Sequence, residues 1–173
     1  SSNNDIISVK GVVEIDESAE IILSYLVHLC SNERNRKHIE GQGNLERSCE
    51  LYYNSHSSHL TSEFKSPFPK VANRKFSGVH VWRKGWEDNP NAYVLAFLSD
   101  DEVKNSGSSS FSIHRETDNL ETDRAVLAFS TAIYLIEPLG LRVARLTQVQ
   151  STNLNMSGSI GKLISQYATG LSL

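Results

Sequence analysis

The 173-residue chain is poor in the features that mark many protein classes. It holds two cysteines, Cys30 and Cys49, too few for the disulfide framework of a small secreted domain. Two separate thiols in a reducing, cytoplasmic setting are therefore the expectation. No apolar run approaches the ~18 residues of a membrane-spanning helix. No cationic stretch followed by a short apolar segment marks a signal peptide. Basic residues are not in excess: 17 Lys and Arg against 20 Asp and Glu give a net charge of −3. That balance argues against a general nucleic-acid binder.

Motifs of site chemistry are equally scarce. There is no Cys-x-x-Cys, no His-Glu-x-x-His, no Gly-x-Ser-x-Gly and no phosphate loop. His56 and His59 stand three apart, a spacing that puts them on opposite faces of a strand, so they do not share a metal ion. Gly41-Gln42-Gly43 lacks the further glycine and the helix of a dinucleotide fingerprint. Asp100-Asp101-Glu102 lacks the ligand spacing of a calcium loop, and residues 100–110 read as a solvated acidic and then Gly/Ser-rich loop. The sequence thus assigns no metal, no cofactor and no catalytic residue. The chain starts Ser1-Ser2-Asn3 and its single methionine is Met156, which suggests an excised domain or processed fragment.

What is present is a composition of 39% hydrophobic and 21% charged residues. That describes one folded domain rather than a disordered tail or a coiled coil. A chain of this length buries roughly two-thirds of its surface. Residues 1–5 read as a disordered N-terminal segment, and 6–173 as the domain. Residues 6–15 alternate as a half-buried strand. Asp16-Glu17-Ser18 supplies N-cap chemistry for a helix over 18–30, whose apolar stripe is Ala19, Ile22, Leu26 and Leu29. Cys30 falls late in that stripe and reads as core. The cationic stretch 31–38, with Arg34, Arg36, Lys37 and His38, reads as a further short helix with a solvated face, or as contact with an anionic membrane surface. Strands are expected at 45–53, 56–64, 74–83, 93–98, 111–115, 124–136 and 141–150, with tight turns at 85–91 and at Glu137-Pro138-Leu139-Gly140. An amphipathic helix over 160–168 closes the chain, with Ile160, Leu163, Ile164 and Tyr167 on one side.

Consecutive strands with short connections pair antiparallel, and helices held to the ends of such a sheet make an α+β domain. A twisted sheet of this size curls, and the last helix is the natural cover for its concave face. Such an arrangement leaves room for an apolar ligand. Along residues 74–83, Phe76, Gly78, His80 and Trp82 share one face. His80 is either a core histidine satisfied by a hydrogen bond or a lone polar group orienting a ligand. A buried imidazole without a partner costs ~1–3 kcal/mol, so a partner is expected.

Several segments carry a family resemblance. Thr131-Ala-Ile-Tyr-Leu-Ile-Glu-Pro-Leu-Gly140, Arg145-Leu-Thr-Gln-Val-Gln-Ser-Thr-Asn-Leu154 and Ser159-Ile-Gly-Lys-Leu-Ile164 resemble the late strands and the opening of the C-terminal helix of START domains. These are the lipid-transfer domains related to the steroidogenic acute regulatory protein. Arg74-Lys75-Phe76 through Trp82-Arg83 is similar to the family's Arg-Asp-Phe strand, and Ser18 to Leu29 to its Ser-Pro-Glu-Glu helix. The resemblance covers most of residues 6–171 in order. It implies the helix-grip fold, a curved antiparallel sheet wrapped around a C-terminal helix, shortened here at both ends. It also implies non-enzymatic binding of one lipid (sterol, phospholipid or sphingolipid) under that helix, with transient contact at a membrane surface. By the same resemblance His80 falls where sterol-binding members carry an arginine, with an acidic partner near Thr61 or Glu63. Leu154 falls in the lid loop, and Ile160, Ile164 and Tyr167 face the cavity. Two other functions fit the same architecture. One is a helix-grip enzyme, cyclase or hydrolase-like, with His80 working beside Glu63 or Tyr134. The other is a lipid-gated interaction module of a larger protein.

Overall fold

The structure, a computed structural model, describes residues 6–41, 44–66, 71–105 and 125–155. Seven strands form one antiparallel sheet in the order β1-β7-β6-β5-β4-β3-β2. They are β1 (Ile7–Ile15), β2 (Glu46–Asn54), β3 (Ser57–Phe64), β4 (Arg74–Trp86), β5 (Asn89–Ser99), β6 (Val126–Gly140) and β7 (Val143–Asn153). Three helices join them: α1 (Ala19–Val27), α2 (Asn32–Arg36), followed by a π-helical turn at Lys37–Gly41, and α3 (Asp100–Asn105). The sheet is curved. Where β5 ends, β4 and β6 close on each other and pair in parallel, Arg74 with Val126 through Phe76 with Ala128. The α+β expectation holds, and β2 to β7 follow each other in space as they do in sequence. The candidate strand at 111–115 and the helix at 160–168 lie outside the described residues.

The N-terminus of α1 forms as its sequence directs. Ser18 is extended and its hydroxyl accepts from the Ile21 amide at 3.3 Å, which satisfies one of the orphan donors of a helix start. Glu20 in the first turn accepts a hydrogen bond from the Tyr93 hydroxyl at 3.0 Å, tying α1 to the sheet. Ala19, Ile22 and Leu23 are buried against Tyr93, Ile136 and Ala144, with Trp82, Leu146 and Ile15 packed around them. Cross-strand partners share a face of a sheet. The register therefore defines an inner face, covered by α1 at one end, that runs through Trp82, Leu95, Tyr134 and Gln148 and through His80, Phe97, Ala132 and Gln150.

Several boundaries differ from the sequence expectation: α1 stops at Val27, so Leu29 falls in the turn after it, and β5 runs from Asn89 to Ser99. The β6–β7 turn is Leu141–Arg142, because β6 continues to Gly140 across a bulge at Pro138/Gly140. Proline is tolerated there because the pairing of β5 with β6 has already stopped at Ile136, so no donor is required on that side. The β4–β5 turn narrows to Glu87–Asp88, with Trp86 opposite Asn89. Gly85 takes φ +88 at the irregularity in β4, a conformation open to glycine. Residues 100–105 are helical rather than a loop: Asp100, Asp101 and Glu102 occupy the first turn, where the helix dipole favours negative charge, and Val103 is buried.

Gly78 is required by proximity. A Cβ there would meet the Leu98 carbonyl oxygen and come within 2.8 Å of Phe97 Cζ. Gly78→Ala is expected to cost about 1–3 kcal/mol by overpacking against backbone. Ile22→Ala should cost about 2–5 kcal/mol, whereas Ile21→Ala, on the exposed side of α1, should stay within about 0.5 kcal/mol. Urea unfolding of the three variants checks both statements; equal effects of the two isoleucine changes would contradict the packing of α1.

Candidate ligand-binding face of the sheet

The inner face has an end packed under α1 and a stretch beyond it, where Leu60, Phe64, Phe76 and Phe97 alternate with small residues. At the α1 end it carries Trp82, Tyr93, Ile136 and Leu146, which fill the space between helix and sheet. Further along it carries Ala128, Ala132, Ser130 and Ser99, all buried, with exposures of 1, 5, 7 and 2%. His80 stands among them at 5% exposed. Its neighbours on the same face are Ser58 of β3 and Phe97 of β5.

His80 does not have the expected partner. Among the described residues its ring makes no hydrogen bond, and it is not among those with further contacts. Burial, and then the positive charge of Arg34, pull its pKa down to about 4. The ring is neutral at pH 7, presenting one donor and one acceptor. Two polar atoms of this face are fully buried without a partner among the described residues: the Ser99 hydroxyl and Trp82 Nε1. Such groups cost free energy unless something polar meets them.

Beside them runs a polar ladder that is satisfied within itself. Gln148 donates to the Tyr134 hydroxyl at 3.4 Å and to Gln150 Oε1 at 2.8 Å. Gln150 donates to Ser130 Oγ at 3.3 Å and to Thr152 Oγ1 at 3.1 Å. Burial raises the Tyr134 pKa and the charge of Arg34 partly offsets it. Sequence reasoning missed this ladder. The signal was available: residues 145–152 are polar on both alternations, which a strand with one dry face is not.

Of the residues singled out from sequence, Phe76, His80 and Trp82 share the inner face as expected. Phe76 sits edge-on to Phe64 at 5.4 Å, and Trp82 belongs to the core under α1. Thr61 and Glu63 do not join them. They pair with Ser77 and Lys75, the opposite parity of β4, so both lie on the outer face, where Glu63 accepts from Asn73 at 2.9 Å. Neither is the acidic partner of His80. Tyr134 is on the inner face but β5 separates it from β4, two strand spacings or roughly 10 Å away. The Leu154 carbonyl accepts from Arg74 Nε at 2.8 Å, which clamps the end of β7 to the start of β4. Ile160, Ile164 and Tyr167 lie outside the described residues.

Cys30 sits in the turn after α1 rather than in its stripe. Both cysteines are free and half-buried. Burial, and then neighbouring Cys49, raise the Cys30 thiol to about 11, so it is a poor nucleophile. His56 lies in the β2–β3 turn and packs on Trp82 with ring centres 4.3 Å apart. On the outer face, Asp100 accepts from His59 at 3.1 Å and from the Ser77 hydroxyl at 2.8 Å. Burial pushes the Asp100 carboxyl up, but these hydrogen bonds outweigh it and hold it below its ordinary range. The serine proton is committed to Asp100, so the three residues pin α3 to the sheet and do not form a nucleophile relay.

No family model matches the chain, and no curated protein matches it. Solved structures do. The chain is similar to human STARD10, with a TM-score of 0.70, 15% identity, and coverage of 98% of this chain and 60% of that one. It is similar to human StAR-related lipid transfer protein 5 at TM-score 0.65 and 11% identity, covering 95% of this chain and 70% of that one. The lipid transfer and protein localization domain of human StarD13 gives 0.61 at 17% identity, over 91 and 75% of the two chains. The Zhui aromatase/cyclase from Streptomyces sp. R1128 gives 0.50 at 7% identity. The fold is therefore the START, or helix-grip, fold read from the sequence. No helix among the described residues is long and apolar enough to cross a membrane.

The low pKa of His80 has a consequence for stability. Between pH 6.5 and 4 the unfolded chain takes up a proton that the folded chain refuses. Stability from this group is complete above pH 6.5 and is lost as pH falls towards 4. His80→Gln should make the acid-side loss shallower, by up to about 1.4 kcal/mol per pH unit. Urea unfolding at pH 7, 6 and 5 measures it; parallel losses in both proteins would show that His80 titrates normally.

Proposed function

We propose that the chain binds a single lipid, a sterol, phospholipid or sphingolipid, against the inner face and transfers it without covalent chemistry. The observation that carries this reading is the inner face beyond α1. Small buried side chains at Ala128, Ala132, Ser130 and Ser99 share that face with a neutral His80, whose ring makes no hydrogen bond among the described residues. That is the make-up of an apolar site with a few placed polar groups. Burying a lipid chain supplies about 0.8 kcal/mol per methylene, so affinity follows from area, while His80 and Ser99 offer hydrogen bonds to a polar end. The fold agrees with this reading: similar structures are named as lipid transfer proteins.

In this proposal residues 6–173 act as one unit. Phe76 and His80 line the ligand, with Trp82 behind them. Leu154 stands at the lid, and Ile160, Ile164 and Tyr167 close over the lipid from the C-terminal segment. The chain works in the cytoplasm and touches a membrane only to exchange its cargo. Binding is favoured over turnover because His80 has neither Glu63 nor Tyr134 as an acid or base partner.

Native mass spectrometry of the purified protein is expected to show the chain together with one lipid. His80→Ala should alter which lipids are retained without abolishing uptake. A mass equal to the bare chain, together with no uptake of sterol or phospholipid from vesicles, would overturn the proposal.

A further inference from the structure

Arg34 of α2 and Arg47 of β2 both donate to backbone carbonyls at the end of α1 and the turn after it, and Arg47 lies on the inner-face parity of the sheet, opposite Ser62. The Arg34 guanidinium stacks 3.8 Å from the centre of the Tyr25 ring and donates to the Tyr25 carbonyl. Arg47 donates to the Leu29 carbonyl at 3.4 Å and to His38 Nδ1 at 2.7 Å. Since arginine only donates, His38 accepts at Nδ1 and carries its proton at Nε2, 3.4 Å from the Ser62 hydroxyl. His38 is 1% exposed, so Arg47 is aimed by a fixed, buried group.

Among the described residues the pair has no counter-charge: no carboxylate lies at ion-pair distance from either guanidinium. Glu33, the acid next to Arg34 in sequence, is engaged with Lys37 at 2.9 Å. Burial lowers the pKa of both arginines, and the charge of Arg34 lowers that of Arg47 further. Two like charges held close and half-buried repel each other, and they are stabilised by an anion that bridges them. Among the described residues most of their N–H donors have no partner, and they are held in the fork geometry that fits phosphate oxygens bidentately. Arg34 is also close enough to His80 and Tyr134 for its charge to act on both, so the pair adjoins the face proposed above to hold lipid.

We propose that Arg34 and Arg47 form an anion site that binds a phosphate, that of the headgroup of the bound lipid. The inference rests on the lipid-binding reading and refines it: the preferred cargo is a phospholipid with a negatively charged headgroup rather than a sterol. The apolar chains lie along the inner face towards His80 and Ala132, and the headgroup sits at the α2 end.

The test compares uptake from vesicles of phosphatidylcholine doped with either phosphatidic acid or diacylglycerol, which share their chains and differ in the phosphate. The wild-type chain should take up phosphatidic acid at least tenfold better than diacylglycerol. Arg34→Gln and Arg34→Gln/Arg47→Gln should lose that preference and keep their diacylglycerol uptake and melting temperature. Arg34→Gln on its own keeps the test valid should the double variant fail to fold, because Arg34 lies on a short surface helix. Equal uptake of the two lipids by the wild type, or an unchanged preference in the folded variants, would overturn the anion site. No uptake of either lipid would overturn the lipid reading instead. A titration with inorganic phosphate then separates the sources of the anion: millimolar phosphate bound by the wild type and not by Arg34→Gln, without any lipid uptake, overturns the headgroup assignment in favour of free phosphate.

Discussion

Helix α1 covers the inner face of the sheet at one end, and the remaining chemistry follows from where that cover stops. Ala19, Ile22 and Leu23 meet Tyr93, Ile136 and Ala144 over nine helical residues, about 13.5 Å of helix axis at 1.5 Å per residue. The strands beneath it are longer, 13 residues for β4 and 15 for β6. Beyond α1 the inner face mixes large side chains, Leu60, Phe64, Phe76 and Phe97, with the small ones at 99, 128, 130 and 132. His80 stands in that stretch, flanked by Ser58 and Phe97, and among the described residues its ring makes no hydrogen bond.

Much of this was readable before any coordinates. The alternation of Phe76, Gly78, His80 and Trp82 put the right residues on one face because a strand has a period of two and burial on one side fixes its phase. Ser18 and the apolar spacing of 19–26 located α1. What failed was parity between strands. Thr61 and Glu63 have the same phase as each other, and the β3–β4 pairing puts that phase opposite the phase of His80. The sequence alone does not determine which residue of β3 faces which of β4, and a shift of one residue moves a whole set of side chains through the sheet. A family resemblance could suggest a carboxylate near His80 but could not supply the register.

A second kind of failure concerns charge. The acidic run 100–102 was read as solvated loop, yet it starts α3 and its first carboxylate is half-buried against His59 and Ser77. Arg34 reads as part of a solvated face, yet it is half-buried, as is Arg47, which the sequence does not single out. A linear pattern reports the sign of a charge and not its solvation. Whether an arginine tip reaches water depends on what the chain folds around it, here the α1–α2 turn on one side and the β2 edge on the other.

The two polar features of the inner face are electrostatically linked, and the link separates their roles. A histidine beside a carboxylate would keep its proton and add a charge to the site; His80 has no carboxylate and faces the field of Arg34, so it stays neutral across the physiological range. Among the described residues, positive charge on this face stands at its ends, with Arg34 and Arg47 near the turn that follows α1, Lys84 over the Tyr93 ring and Arg74 beside Phe64, while His80 between them stays uncharged. An ion at the centre would lose its hydration with nothing to replace it. An ion at the arginine end would exchange water for guanidinium donors, while the face beyond it offers apolar side chains, the Gln148–Gln150 ladder and the hydrogen-bonding groups of His80 and Ser99. A molecule with one charged end and one long apolar end matches that distribution. A small polar metabolite matches it less well, because it would leave the apolar side chains of Phe76 and Phe97 bare.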